Sequence, residues 1–110
     1  MRVKIKTTNF SMTPAIDDLA DKKLLTPVRR LIKKIDDKAD VVFDIELAKA
    51  TKHHQKGRIW RAEAQLDLPG LKSLLRAEAE AVSLREAIDI VRGEILSEIK
   101  KYKEKTRVQG

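Results

Sequence analysis

Three times between Asp40 and Ala81 the chain alternates apolar with charged or polar residues, and this period of two constrains the fold more than any other feature. Val41, Phe43, Ile45 and Leu47 alternate with Asp44 and Glu46 over residues 40–49, Trp60, Ala62, Ala64 and Leu66 recur within 58–68, and Leu75, Ala77 and Ala79 recur within 72–81. Successive side chains of a strand point to opposite faces, so each segment predicts a strand with one buried and one wet side. Pro69-Gly70 turns the third strand into the fourth, and the three strands form an antiparallel meander. Residues 2–7, Arg-Val-Lys-Ile-Lys-Thr, alternate in the same way and add a first strand with Val3 and Ile5 inward. Alanines at 62, 64, 77 and 79 leave room at mid-sheet for helices to approach closely.

Two helices are predicted to fill that room. Thr13 followed by Pro14 is a helix start, a capping hydroxyl with proline at the first helical position, and Asp17 and Asp18 complement the dipole of the opening turn. Ile16, Leu19, Ala20, Leu24, Leu31 and Ile35 then form the expected apolar stripe. Pro27 interrupts it, and a kinked continuation is expected because the stripe keeps phase across the proline. Ser83 with Glu86 is a capping box, followed by Leu84, Ile88, Val91, Ile95, Ile99 and Tyr102 at helical spacing to about residue 103. The order β-α-β-β-β-α predicts an α+β two-layer sandwich, a four-stranded sheet with two helices on one face. At 110 residues the chain is expected to be a single domain over 1–105, with 106–110 as a flexible tail.

Charge is the next signal. Twenty-four Lys and Arg against 17 Asp and Glu give a formal charge of +7, which points to a polyanionic partner. On a helix at about 100° per residue, steps of seven and eleven return to nearly one face. Lys22, Arg29 and Lys33 obey that spacing, Lys23, Arg30 and Lys34 form a second row, and no acid lies between Lys22 and Lys34. Arg85, Arg92 and Lys103 fall on one flank of the last helix, with Lys100, Lys101 and Lys105 in its final turns. Cations there also complement the helix dipole. Side by side on the sheet, the two helices would present one basic surface able to follow a phosphate backbone. Outward sheet positions such as Lys4, Asp44, Glu46, Arg61, Glu63, Arg76 and Glu78 mix signs and suit cross-strand ion pairs on a solvated face.

The segment 51–57, Thr-Lys-His-His-Gln-Lys-Gly, is a second basic element, in which Lys52, His53, His54 and Lys56 are candidates for RNA contact or for an exposed polar loop. Adjacent histidines seldom aim at one ion, and no third ligand completes a metal site. The absence of cysteine excludes a disulfide scaffold, a thiol nucleophile and a Cys-ligated zinc finger. No P-loop, no dinucleotide-binding turn and no nucleophile elbow is present, so an enzyme, a cofactor and a small-molecule substrate are not expected. Apolar runs are only a few residues long, so neither a secretory leader nor a membrane span is expected. Trp60, Phe43 and Tyr102 fall on inward phases and read as core. The remaining classes are a nucleic-acid binder, duplex RNA included, and a domain whose basic face meets an acidic protein.

Asn9-Phe10-Ser11-Met12-Thr13-Pro14-Ala15-Ile16 entering a Lys-rich helix, Lys52-His53-His54 followed by Gly57, the strand Leu75-Arg76-Ala77-Glu78-Ala79, and Ala87-Ile88-Asp89 opening a helix that ends Lys100-Lys101-Tyr102-Lys103-Glu104-Lys105 occur together in this order. Over about residues 2–105 this pattern resembles the ribosome hibernation promoting factor family, also called ribosome-associated inhibitor A or sigma-54 modulation protein. The resemblance implies a cytoplasmic domain that lodges between head and body of the small ribosomal subunit, contacts its rRNA and occupies the ground of messenger RNA and of A-site and P-site transfer RNA. It implies RNA-facing roles for Lys22, Lys23, Arg29, Arg30 and Lys33 of the first helix and for Arg85, Arg92, Lys100, Lys101 and Lys103 of the last. Where the family often carries Asp-Met-Tyr or Asp-Leu-Tyr, this chain has Ser83-Leu84-Arg85, a charged contact in place of an aromatic one. Long members add a linker and a C-terminal dimerisation domain; none is expected here, so the chain by itself is not expected to bridge two ribosomes.

Overall fold

Sheet residues alternate in burial as they alternate in polarity. The computed structural model describes residues 1–50, 59–71 and 74–109, with side chains as far as Lys105. Strands β1 (Arg2–Thr8), β2 (Val42–Lys49), β3 (Trp60–Asp67) and β4 (Leu75–Ala81) form one sheet in the order β1-β2-β3-β4. The β1–β2 pair is parallel, with Val3 opposite Phe43 and Ile5 opposite Ile45. The β2–β3 and β3–β4 pairs are antiparallel, with Ile45 opposite Ala64 and Ala64 opposite Ala77. Phe43, Ile45, Leu47, Ala62, Ala64, Leu66 and Ala77 are buried, and Asp44, Glu46 and Glu78 lie on the other face. The expected meander and the α+β sandwich are both present.

The first helical run starts as its sequence dictates. The Thr13 hydroxyl accepts a hydrogen bond from the Ile16 amide at 3.2 Å, and Pro14 opens α1 (Pro14–Ala20). Such a cap is worth about 1 kcal/mol. The run then departs from the expected in-phase kinked continuation. Residues Asp21–Leu25 form a π turn, closed by the Thr26 amide donating to the Asp21 carbonyl, before α2 (Thr26–Leu31) begins with Pro27 in its first turn. An interior proline clashes with the carbonyl four residues back and offers it no N–H; the wider turn moves that carbonyl aside. A π turn sets the following residues back by about one position, roughly 100°. The stripe therefore does not keep phase: Val28 and Ile32 are fully buried, whereas the expected Leu31 and Ile35 are half-buried. The run ends in α3 (Lys33–Asp36), after Ile32 leaves helical geometry at φ −102° and ψ 11°.

Helix α4 (Leu84–Gln109) opens with the Ser83 hydroxyl accepting from the Glu86 amide at 3.1 Å. Leu84, Ala87, Ile88, Val91, Ile95 and Ile99 seal the sheet, each large aliphatic contributing on the order of 1.5–3 kcal/mol. The helix passes its expected end near residue 103 and is helical through Gln109. Its 26 residues measure about 39 Å, well beyond strands of seven or eight residues, so its last turns project past the sheet.

Candidate nucleic-acid interface

The two helical runs lie side by side. The Lys23 ammonium reaches the Asp89 carboxylate at 3.1 Å, and the Lys103 ammonium donates to the Leu31 carbonyl at 2.9 Å. Both ties advance in the same direction along both helices, so the axes run parallel and both C-terminal ends lie at one end of the domain. Asp89 shares its flank with Arg85, Arg92 and Lys103, so that flank of α4 faces the first run. The break at Ile32 leaves the Leu31 carbonyl available to Lys103.

Sequence periodicity placed twelve basic residues on this helical layer, the resemblance assigned RNA contact to all of them but Lys34 and Lys105, and the structure divides those ten. Lys22 is held by Asp18 one turn earlier at 2.9 Å, Lys23 by Asp89, and Lys101 by Glu98 at 3.6 Å. Lys103 is engaged at the Leu31 carbonyl. Arg29, Arg30, Lys33, Arg85, Arg92 and Lys100 are exposed and make no ion pair among the described residues. Arg29, Arg30 and Lys33 border one shallow groove with Thr26, Asp36 and Asp37, and Asp36 is engaged by the Met1 α-ammonium at 2.5 Å. The expectation of an acid-free face between Lys22 and Lys34 is corrected by Asp18 and Asp89, which reach it from outside that stretch. Asp18 was legible as an i,i+4 partner of Lys22; Asp89 was not, because only the packing of the helices brings it near. The π turn also aligns Lys22 with Arg30 rather than with Arg29 and Lys33. Lys52, His53, His54 and Lys56 lie outside the described residues.

On the opposite face of the sheet the central charges of β3 and β4 pair with one another. Arg61 reaches Glu63 and Glu78, each at 2.5 Å, and Arg76 reaches the same two carboxylates at 3.0 and 3.1 Å. Burial raises the Glu63 carboxyl, but hydrogen bonds from Arg76, Arg61 and Gln65 outweigh it and hold the group below its ordinary value. Trp60 is half-buried, edge-on to Phe10 with centroids 5.2 Å apart and with the Lys49 ammonium 5.4 Å from its ring. Phe43 is fully buried, and the half-buried Tyr102 donates its hydroxyl proton to the Pro69 carbonyl at 2.8 Å. Among the described residues no group of His, Asp and Glu could hold a metal ion, and no helix is long and apolar enough to cross a membrane.

The molecule is an α+β domain with a basic helical layer on a sheet whose outer face mixes both signs. The profile of a family described as sigma 54 modulation protein / S30EA ribosomal protein matches residues 3–107, and the chain belongs to that family. This is a family of ribosome-associated factors rather than of enzymes. Among solved structures, the chain is similar to the Protein Y N-terminal domain of Thermus thermophilus, with 31% identity over 93% of this chain and 99% of that one and a TM-score of 0.67. It shares its fold with a ribosomal subunit interface protein from Coxiella burnetii, with 20% identity, 94% and 99% coverage and a TM-score of 0.69. Curated protein sequences include no match.

Proposed function

We propose that the chain is a non-enzymatic, cytoplasmic ribosome-binding factor that inhibits translation by occupying the decoding channel of the small subunit and so stabilises idle ribosomes. The observation that carries this reading is the division of charge. Six of the ten assigned cations of the helical layer stand without an acidic partner among the described residues, while Arg61 and Arg76 at the centre of the sheet face are both held by Glu63 and Glu78. Cations left unpaired by the fold are those that can meet RNA phosphates without first breaking an internal contact. Arg29, Arg30 and Lys33 from one helical run and Arg85, Arg92 and Lys100 from the other are the principal contacts; Lys22, Lys23, Lys101 and Lys103 assist after exchanging partners. Lys52, His53, His54 and Lys56 extend the contact surface in the reading from sequence. Membership of a family of ribosome-associated proteins, and the names of the two similar structures, support the ribosome as the RNA-containing partner.

Co-sedimentation with vacant ribosomes, with and without prebound messenger and initiator transfer RNA, tests the mechanism. Binding to vacant ribosomes and loss of binding when the channel is filled is the expected result. Equal binding to filled and vacant ribosomes would refute occlusion, and comparable affinity for naked duplex RNA would assign the chain to general duplex-RNA binding.

A further inference from the structure

Among the described residues β1 and β4 are the edge strands of the sheet, and they carry opposite designs. An edge strand presents unpaired backbone groups and is a template for another strand unless something repels it. The outer face of β1 offers Arg2, Lys4 and Lys6, so a second copy laid antiparallel would meet cation with cation. The outer face of β4 offers Arg76, Glu78 and Glu80. Laid antiparallel about Glu78, two copies of β4 place Arg76 opposite Glu80 of the second copy, and the twofold repeats the pair.

The apolar surface follows the same register. Among the described residues, four large hydrophobics are exposed: Met12 at 37%, Leu74 at 45%, Val82 at 62% and Ile90 at 41%. Leu74 and Val82 flank β4 immediately on either side, and the register that joins Arg76 to Glu80 also joins Leu74 to Val82. Ile90 lies on the flank of α4 opposite Asp89, the flank whose Lys101 lines one groove with Leu71 and Leu75, the first residue of β4. Leu74 and Val82 thus border the β4 edge, and Ile90 lies on the flank of α4 turned to the same side. Glu78, which meets its own copy at the axis, carries two guanidinium partners in each chain, Arg61 and Arg76, which offset the like charge.

We propose that β4 is a self-association edge, through which two copies of this chain pair antiparallel about Glu78 into a continuous eight-stranded sheet. Seven paired residues and a few side chains form an interface at the small end of the specific range, so the dimer is concentration-dependent. It places the basic helical layers of two copies on the same side of the joined sheet.

Sedimentation velocity over a concentration series, on the full chain without ribosomes, tests the proposal independently of RNA binding. The wild type should shift from monomer to dimer as concentration rises. Arg76→Glu and Glu80→Arg should each remain monomeric where the wild type is half dimeric, because each sets like charges opposite one another twice. An equimolar mixture of these two variants should recover the dimer, since position 76 of each then meets position 80 of the other with opposite sign. Val82→Asp, which lies outside the guanidinium network, should also weaken association at least tenfold. A wild type that is monomeric throughout, variants that dimerise like the wild type, or a mixture that stays monomeric would each overturn the proposal; the first of these would leave the edge to a strand of another protein.

Discussion

The ten helical cations proposed to face RNA do not contribute equally to binding if internal pairing decides which of them are available. Each phosphate neutralised by a lysine or arginine releases counterion and adds about 0.7–0.9 to the slope of log K against log salt. Arg29, Arg30 and Lys33 are exposed and lack an ion pair among the described residues, so replacing all three by alanine should flatten the slope by about 2–3. Between 50 and 200 mM salt the wild-type six contacts of this kind alone correspond to a loss of roughly 300- to 2,000-fold in affinity. Lys22, Lys23 and Lys101 are each held by a carboxylate at 2.9–3.6 Å, so replacing those three should flatten the slope by less than about 1. The two triple variants remove the same formal charge, so a uniform electrostatic attraction predicts equal effects. Filter binding or sedimentation with vacant ribosomes across a salt series measures both slopes. Equal flattening by the two triples, or a larger effect from the paired set, would refute the reasoning.

Two further outcomes follow from single side chains. Gly93 sits exposed in the middle of α4 with nothing within 4 Å of where a Cβ would stand, so Gly93→Ala should raise stability by about 1 kcal/mol through helix propensity, read as a higher urea midpoint at unchanged slope. Glu63, with its carboxyl held below the ordinary value by Arg76, Arg61 and Gln65, contributes stability that is present above its unfolded value and is lost as pH falls through its lower folded value. Glu63→Gln should therefore cost stability at neutral pH, and the gap between variant and wild type should close as pH falls below about 4, as pH-dependent urea denaturation would show.

The strands were legible because their pattern is local. Val41 through Leu47 and Trp60 through Leu66 alternate in sequence as they alternate in space, and the alanines at 62, 64 and 77 lie buried beneath the helices that their size anticipates. The caps were legible for the same reason, since Thr13 and Ser83 act on amides three residues away. The site was legible in composition and only partly in arrangement. Helical arithmetic identified the basic faces, but the pairing of Lys23 with Asp89 joins residues far apart in sequence, and the seat of Lys103 on the Leu31 carbonyl requires a helix break that no residue type near Ile32 announces.

Pro27 shows where such arithmetic fails. A proline in a helix leaves the carbonyl four residues back without a donor and in the way of its ring, and the chain can answer with a kink, a break or an inserted residue. Only the last changes the phase of everything downstream. Here the insertion brings Ala20, Val28 and Ile32 onto one buried line, because eight residues across a π turn return to the face that seven residues reach in an undisturbed α-helix. The same shift carries Arg29, Arg30 and Lys33 around the axis relative to Lys22. The cations before the proline lie within reach of Asp18 and Asp89, and those after it border a groove where Asp36 is already engaged by the α-ammonium. The π turn thus separates internally neutralised charge from available charge, and it ties the packing of Val28 and Ile32 to the phase of the basic face.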